Sequence, residues 1–80
     1  MIAIYSTCIL GTGDTIESAL ADANENFANH PEPIALGGMV LGGDIHSAPM
    51  TAAYADEVSH YGGGRAWNVL DSGELDVVEQ

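Results

Sequence analysis

Eighty residues, 46% of them apolar, can build one hydrophobic core and not two, because a chain of this length buries only about 60% of the surface its unfolded form exposes. Twelve acids stand against one base, Arg65, for a formal net charge of −11, which repels nucleic acid and anionic membranes and attracts basic surfaces over a Debye length of about 8 Å at physiological salt. Cys8 is the single cysteine, so an intrachain disulfide is excluded, and the longest apolar run, 34–43, is too short and too glycine-rich to cross a bilayer.

Residues 2–10 are rich in β-branched and aromatic side chains and hold no glycine or proline, which predicts one continuous strand ending at Gly11. Gly11-Thr12-Gly13 then reads as a tight turn. Asp14 and Glu17 have the spacing of a capping box and mark the start of a helix. Ile16, Ala19, Leu20, Ala23 and Phe27 recur along it at three- and four-residue steps as an apolar stripe, with Glu17, Ser18, Asp22 and Glu25 on the opposite side. The helix is expected to end near Asn29, because His30-Pro31-Glu32-Pro33 forces the residues before each proline out of helical geometry.

The middle, 34–45, places Gly37-Gly38 and Gly42-Gly43 around Met39-Val40-Leu41, a pattern that fits either a short strand or a packed loop. Ser47 ahead of Ala48-Pro49 reads as the N-cap of a second helix, with Met50, Tyr54, Val58 and Tyr61 as its apolar stripe and Gly62-Gly63-Gly64 as its stop. Residues 65–70 and 74–79 read as two strands joined by Asp71-Ser72-Gly73, with Gly73 in the left-handed position of a three-residue hairpin loop. The order β-α-(β)-α-β-β predicts an α+β fold, its helices packed on an antiparallel or mixed sheet, in a single acidic domain over 1–80.

The step from Gly11-Thr12-Gly13 into a helix has the outline of a phosphate-binding turn. However, Ile16 stands where a third glycine belongs, no lysine follows, and Asp14 puts a negative charge at the helix start. His30, His46 and His60, even with Asp44 and Cys8, lack the paired spacing of a metal site, and His60 has an ordinary role beside the negative end of the second helix. Ser6, Thr7 and Cys8 have no His–acid pair at recognisable spacing, and Asp56-Glu57, adjacent on a helix, point apart. The sequence therefore predicts a binding protein that is not an enzyme and takes no cofactor or metal. Trp67, Tyr5, Tyr54 and Tyr61 are read as core, although aromatics also anchor interfaces. The lone cysteine and the absence of a basic leader in MIAIYSTCIL predict a cytoplasmic location.

The acids of the terminal hairpin form the strongest pattern. Glu74 and Asp76 alternate with Leu75 and Val77, which puts the two carboxylates on one face with α-carbons roughly 6.5 Å apart, close to phosphate spacing along a nucleic-acid strand. Asp71 and Glu79 extend this group, and Glu17, Asp22 and Glu25 form a second one on the first helix. One account makes these carboxylates contacts for a basic, nucleic-acid-binding partner. The other makes them solvated charges that protect an edge strand or adapt the protein to salt. Direct binding to nucleic acid or membrane is not expected on either account.

Two resemblances bear on the partner. The segment Gly13-Asp14-Thr15-Ile16-Glu17-Ser18-Ala19-Leu20-Ala21-Asp22-Ala23-Asn24-Glu25-Asn26-Phe27 resembles the strand-to-helix segment of HicB-type antitoxins, which implies neutralisation of a small basic toxin. Those domains place a hairpin before the helix, where this sequence reads as a single strand. As a whole, with acids concentrated in GDTIESALADANEN and LDSGELDVVEQ, the chain is similar in character to small phage-encoded anti-CRISPR proteins that inhibit type I surveillance complexes. That likeness implies an inhibitor whose carboxylates stand in for DNA phosphates in a Lys- and Arg-rich groove.

Overall fold

A computed structural model describes residues 1–40 and 42–78. Its elements are strands β1 (Ile2–Tyr5) and β2 (Ile9–Gly13), helix α1 (Ile16–Asn26), strands β3 (Met39–Val40), β4 (Gly43–Asp44) and β5 (His46–Pro49), helix α2 (Ala52–Tyr61), and strands β6 (Trp67–Val69) and β7 (Leu75–Val77). The fold is α+β. Strands β2, β1 and β5 form an antiparallel sheet in that order, and β3–β4 and β6–β7 are separate hairpins.

The single strand expected over 2–10 is a hairpin. The chain reverses at Ser6-Thr7-Cys8, where the Ser6 N–H donates to the Cys8 carbonyl at 3.0 Å and the Ser6 hydroxyl donates to the Val40 carbonyl at 3.1 Å. Both arms carry the same β-favouring side chains and no glycine or proline marks the turn, so composition alone reads them as one run. Gly11-Thr12-Gly13 is correspondingly the second half of β2 and not a tight turn.

The length of the chain predicts one core, but alternation along β1 gives two small clusters, one on each face of the sheet. Ile4 packs with Leu10, Ala19, Ala23, Ile34, Val40 and Ile45 beneath α1, while Ala3 packs with Ile9, Met50, Tyr54 and Leu75 beneath α2 and the β6–β7 hairpin. The register shifts between Ile4 and Tyr5, which pair with Gly11 and Ile9 and leave Leu10 as the extra residue of a bulge. Leu10 and Gly11 thereby both turn towards α1. Small residues let the helix sit directly on the strand: a Cβ on Gly11 would lie 2.6 Å from the Ala19 carbonyl oxygen, and one on Gly13 would lie 2.6 Å from the Ala19 nitrogen.

Both helix starts differ from the expectation. Thr15, not Asp14, caps α1: its hydroxyl accepts from the Ser18 N–H at 3.1 Å and the Ser18 hydroxyl oxygen accepts from the Thr15 N–H at 3.0 Å, so the box is built from two hydroxyls. The helix ends at Asn26, ahead of the expected Asn29, with Phe27 at its C-cap. Residues 46–49 are not the first turn of α2 but strand β5, in which Ile2 faces Pro49 across the ladder. Thr51 is the cap of α2, and Gly62, at φ 86°, ends it. Met50 is buried ahead of the helix and Tyr61 is exposed, so the buried side of α2 centres on Tyr54 with Ala55 and Val58 beside it.

The middle segment resolves as the β3–β4 hairpin. The terminal hairpin keeps its expected loop, with Gly73 at φ 90°, its N–H donating to the Leu70 carbonyl at 2.8 Å, and the Leu70 N–H donating to the Glu74 carbonyl at 2.9 Å. Substituting Gly11→Ala is expected to lower the unfolding free energy by about 2 kcal/mol, through the clash with the α1 backbone. Gly64→Ala, with nothing within 4 Å of the added carbon, is expected to change it by less than about 0.5 kcal/mol. Urea unfolding of both variants checks this.

Candidate functional site

The single arginine is held at the surface by its neighbours. Arg65 Nη2 lies 3.2 Å from Glu57 Oε1, and its guanidinium sits 4.9 Å from the centre of the Tyr61 ring. Glu57 is the one acid beside an arginine among the described residues, so the other carboxylates there have no fixed cation to offset them.

The structure sorts the predicted contact acids by use. On α1, Glu17 and Glu25 are exposed, but Asp22 is half-buried and accepts the Thr12 N–H at 2.9 Å. Asn26 donates its side-chain amide to the Leu10 carbonyl at 2.9 Å, and the Ile9 N–H donates to the Gly63 carbonyl at 2.9 Å. These three bonds close the outer edge of β2. Asp22 is therefore a clasp between helix and strand.

Asp76 has a similar task at the other end. It accepts the Thr51 hydroxyl at 2.7 Å while that hydroxyl accepts the Tyr54 N–H at 3.2 Å, which sets a carboxylate at the N-terminus of α2 where the helix dipole stabilises it. Glu74 is half-buried and accepts the Ser72 hydroxyl at 3.1 Å, and Asp71 is exposed at the hairpin turn. Glu79 lies outside the described residues. Because α1 covers one face of the three-stranded sheet and the β6–β7 hairpin covers the other, the structure does not bring the two acidic groups together. Nothing in the sequence announced the roles of Asp22 and Asp76, since their partners stand 10 and 25 residues away.

The remaining candidates are dispersed. His30 Nδ1 lies 2.7 Å from the Glu32 carbonyl, His46 packs on the Tyr5 ring at 5.6 Å, and His60 Nδ1 lies 2.9 Å from the Asp56 carbonyl. Among the described residues no three His, Cys, Asp or Glu side chains converge as a metal-binding group. Tyr5, Tyr54 and Trp67 stack between sheet and hairpin, with Trp67 5.4 Å from Tyr5 and 6.4 Å from Tyr54. They belong to the core; Tyr61 alone is exposed, at 70%.

Two clefts open on the surface. One of about 220 Å³ is lined by Glu57, Gly64, Arg65, Ala66 and Val78, and the other, of about 200 Å³, lies along β2 beside Asp22 and Asn26. Both are smaller than the roughly 300–1,000 Å³ of small-molecule sites. No family model, curated protein or solved structure matches the chain. Among the described residues no helix is long and apolar enough to cross a membrane. The chemical asset of the surface is its unpaired carboxylates.

Tyr54 links the core to the arginine segment, its hydroxyl donating to the Arg65 carbonyl at 2.6 Å. Burial pushes its phenol above the ordinary value of 10.0, and the Glu57 carboxylate adds to that against the opposing pull of Arg65. A raised pKa means that the folded state favours the neutral phenol. The stabilisation is thus complete below the unfolded value of about 10 and is lost as pH rises through the folded value. Tyr54→Phe is expected to cost about 1 kcal/mol at neutral pH. Its deficit against the native protein should shrink above about pH 10, as read from urea midpoints across an alkaline series.

Proposed function

We propose that this protein is an inhibitor that occupies a positively charged, nucleic-acid-binding surface of a partner protein and blocks DNA engagement, its carboxylates standing in for phosphates, as in the small acidic anti-CRISPR proteins it resembles. The observation that carries this reading is the imbalance of charge: a net −11 in which the one arginine is already tied to Glu57 and Tyr61. A small core has little stability to set against such self-repulsion, so charge retained on this scale points to use in recognition.

The acids free of internal bonds mark the contact surface. Glu17 and Glu25 are exposed along α1, with Asp14 exposed just ahead of its cap, and Glu17 and Glu25 stand two turns apart, about 12 Å along the axis. Asp71 stands free at the hairpin turn, and beside it Glu74 adds a carboxylate that accepts the Ser72 hydroxyl. Asp22 and Asp76 contribute field but are held by Thr12 and Thr51. Since the two groups lie on opposite sides of the sheet, one of them makes the contact at a time, and the α1 group has the more extended array.

A second reading, a HicB-like antitoxin that neutralises a small basic toxin, is favoured by one observation. The β1–β2 hairpin ahead of α1 supplies the arrangement that a single strand would have lacked. The target separates the two readings.

The test is a competition between this protein and a labelled target duplex for a purified type I surveillance complex. Inhibition is expected at about 100 mM salt, fading by about 500 mM as the carboxylates are screened. Glu17→Lys with Glu25→Lys should weaken it about tenfold, a loss of about 1.4 kcal/mol, more than Asp71→Lys with Glu74→Lys. If the folded protein leaves DNA binding untouched at low salt, the mimic reading fails. Unfolding at low salt with recovery in concentrated salt would instead assign the charge to salt adaptation.

A further inference from the structure

The protein closes its sheet edges unevenly. The outward groups of β2 are met by Asp22, Asn26 and Gly63. Just ahead of β5 the Gly37 N–H donates to the Ile45 carbonyl and the Ile45 N–H to the Gly38 carbonyl, and at its end Pro49 has no N–H to leave open. Strand β6 has no such cover. The Leu70 N–H bond to the Glu74 carbonyl sets the phase of the ladder, so Asn68 turns its backbone groups to β7 while Trp67 and Val69 turn theirs away. Among the described residues nothing bonds to the N–H and C=O of Trp67 or Val69, and β7 is the only element in extensive contact with β6.

The two faces of the hairpin differ in chemistry. On the core face Val69 stands opposite Leu75, yet Leu75 is fully buried and Val69 is 64% exposed, so apolar surface overhangs the core beside open backbone. On the other face Asn68 stands opposite Asp76 and Leu70 opposite Glu74, so β6 itself is uncharged there and two carboxylates follow on β7. Residues 66–78 contain neither Lys nor Arg, and Arg65, which precedes them, is held by Glu57 and Tyr61.

We infer that an extended, basic segment of a partner protein adds to β6 as a further strand, its lysine or arginine side chains alternating with apolar ones. The open N–H and C=O groups of Trp67 and Val69 supply the main-chain bonds. On the core face the apolar side chains of the incoming strand cover Val69 and the exposed part of Trp67. On the other face its neighbours are Asn68 and Leu70, and the strand that carries Glu74 and Asp76 runs about 10 Å away, two strand spacings. A long cationic side chain lying across the short Asn68 spans that gap, its stem against Leu70 and its charge at the carboxylates. Charge selects the occupant at longer range as well. A net −11 with its one arginine already paired draws a cationic segment and repels both nucleic acid and a second copy of this chain. The main-chain bonds fix where the segment lies, and the salt-screened attraction decides which segment it is. This surface is separate from the α1 acids, and the inference does not rest on their role.

The test is a titration of the full chain with a capped peptide of about eight alternating lysine and valine residues, read by hydrogen exchange at individual amides. At saturation the N–H groups of Trp67 and Val69 should exchange about tenfold more slowly or slower still. The fluorescence of Trp67, the only tryptophan, should follow the same binding curve. Binding should weaken at least about tenfold between about 50 and 500 mM salt. Proline in place of each valine keeps the peptide's charge but removes the donors directed at β6, and should cost at least about tenfold in affinity. Asn68→Lys, which sets a cation in front of Asp76, should cost as much, and the proline peptide carries the test if that variant is misfolded by circular dichroism. A peptide that binds while Trp67 and Val69 exchange at their free rates is held elsewhere by charge alone and overturns the inference. Equal binding of the proline peptide, equal binding of a glutamate–valine peptide, or no binding at the lowest salt overturns it too. So does protection of Trp67 and Val69 in a dimer of the chain formed without peptide, which would assign the edge to a second copy. Competition with DNA is measured separately, so either idea can fail without the other.

Discussion

The backbone of α1 rests on β2 without intervening side chains, and much of the molecule follows from that contact. Gly11 and Gly13 on the strand and Ala19 and Ala23 on the helix remove the atoms that would hold the two apart. Close approach brings Asp22 and Asn26 within hydrogen-bonding reach of Thr12 and Leu10, so the helix both covers the sheet and closes its edge. The bulge at Leu10 belongs to the same solution, because it turns Leu10 and Gly11 to the helix while Ile9 still serves the other core. In a domain this small, packing at this distance compensates for the absence of a disulfide or a large aromatic core.

The second core is organised around Tyr54, which touches each layer on its side. It packs with Ala3, Ile9, Met50 and Leu75, stacks near Trp67, donates to the Arg65 carbonyl and gives its N–H to the capping hydroxyl of Thr51. Thr51 in turn holds Asp76, so the start of α2 and the last strand are fixed by one hydroxyl. Carboxylates thus divide into two populations. Asp22, Asp76 and Glu57 are used by the fold, where a bonded carboxylate contributes more than a solvated one. Glu17, Glu25 and Asp71 are left to the solvent and to whatever cationic surface the protein meets.

The parts legible in the sequence are those with a local cause. Gly73 could be assigned to the left-handed position of the terminal loop because the loop is closed by neighbours in the chain, and periodicity marks Ala19, Leu20, Ala23 and Phe27 on α1 and Tyr54 with Val58 on α2, though not the exposed Ile16 and Tyr61. What escaped had a distant cause or an ambiguous sign. The first turn carries polar residues that bond to Val40, far along the chain, in place of a glycine or proline. Ser47-Ala48-Pro49 sends the same signal for a helix start as for an edge strand that ends in proline, and only the pairing with β1 decides it. Asp14 and Thr15 are adjacent candidates for one cap, and the partner at Ser18 settles the choice. For the acids the chemical class was readable and the role was not, since half-burial of Asp22 and Asp76 depends on contacts that composition does not encode.

The open edge of β6 acquires its meaning from the closed edge of β2. A chain that spends a helix carboxylate, a side-chain amide and a loop carbonyl on three groups of one strand has the means to cover an edge, so the bare backbone of Trp67 and Val69 is not explained by small size alone. Nor is it guarded in the usual way, for lysine is absent and the one proline of the sheets lies in β5. What guards β6 is the field of the whole molecule, which discourages approach by any acidic chain and most strongly by its own copy. Such a guard weakens with ionic strength, while hydrogen bonds between strands do not, so an edge held open by charge is protected least in high salt.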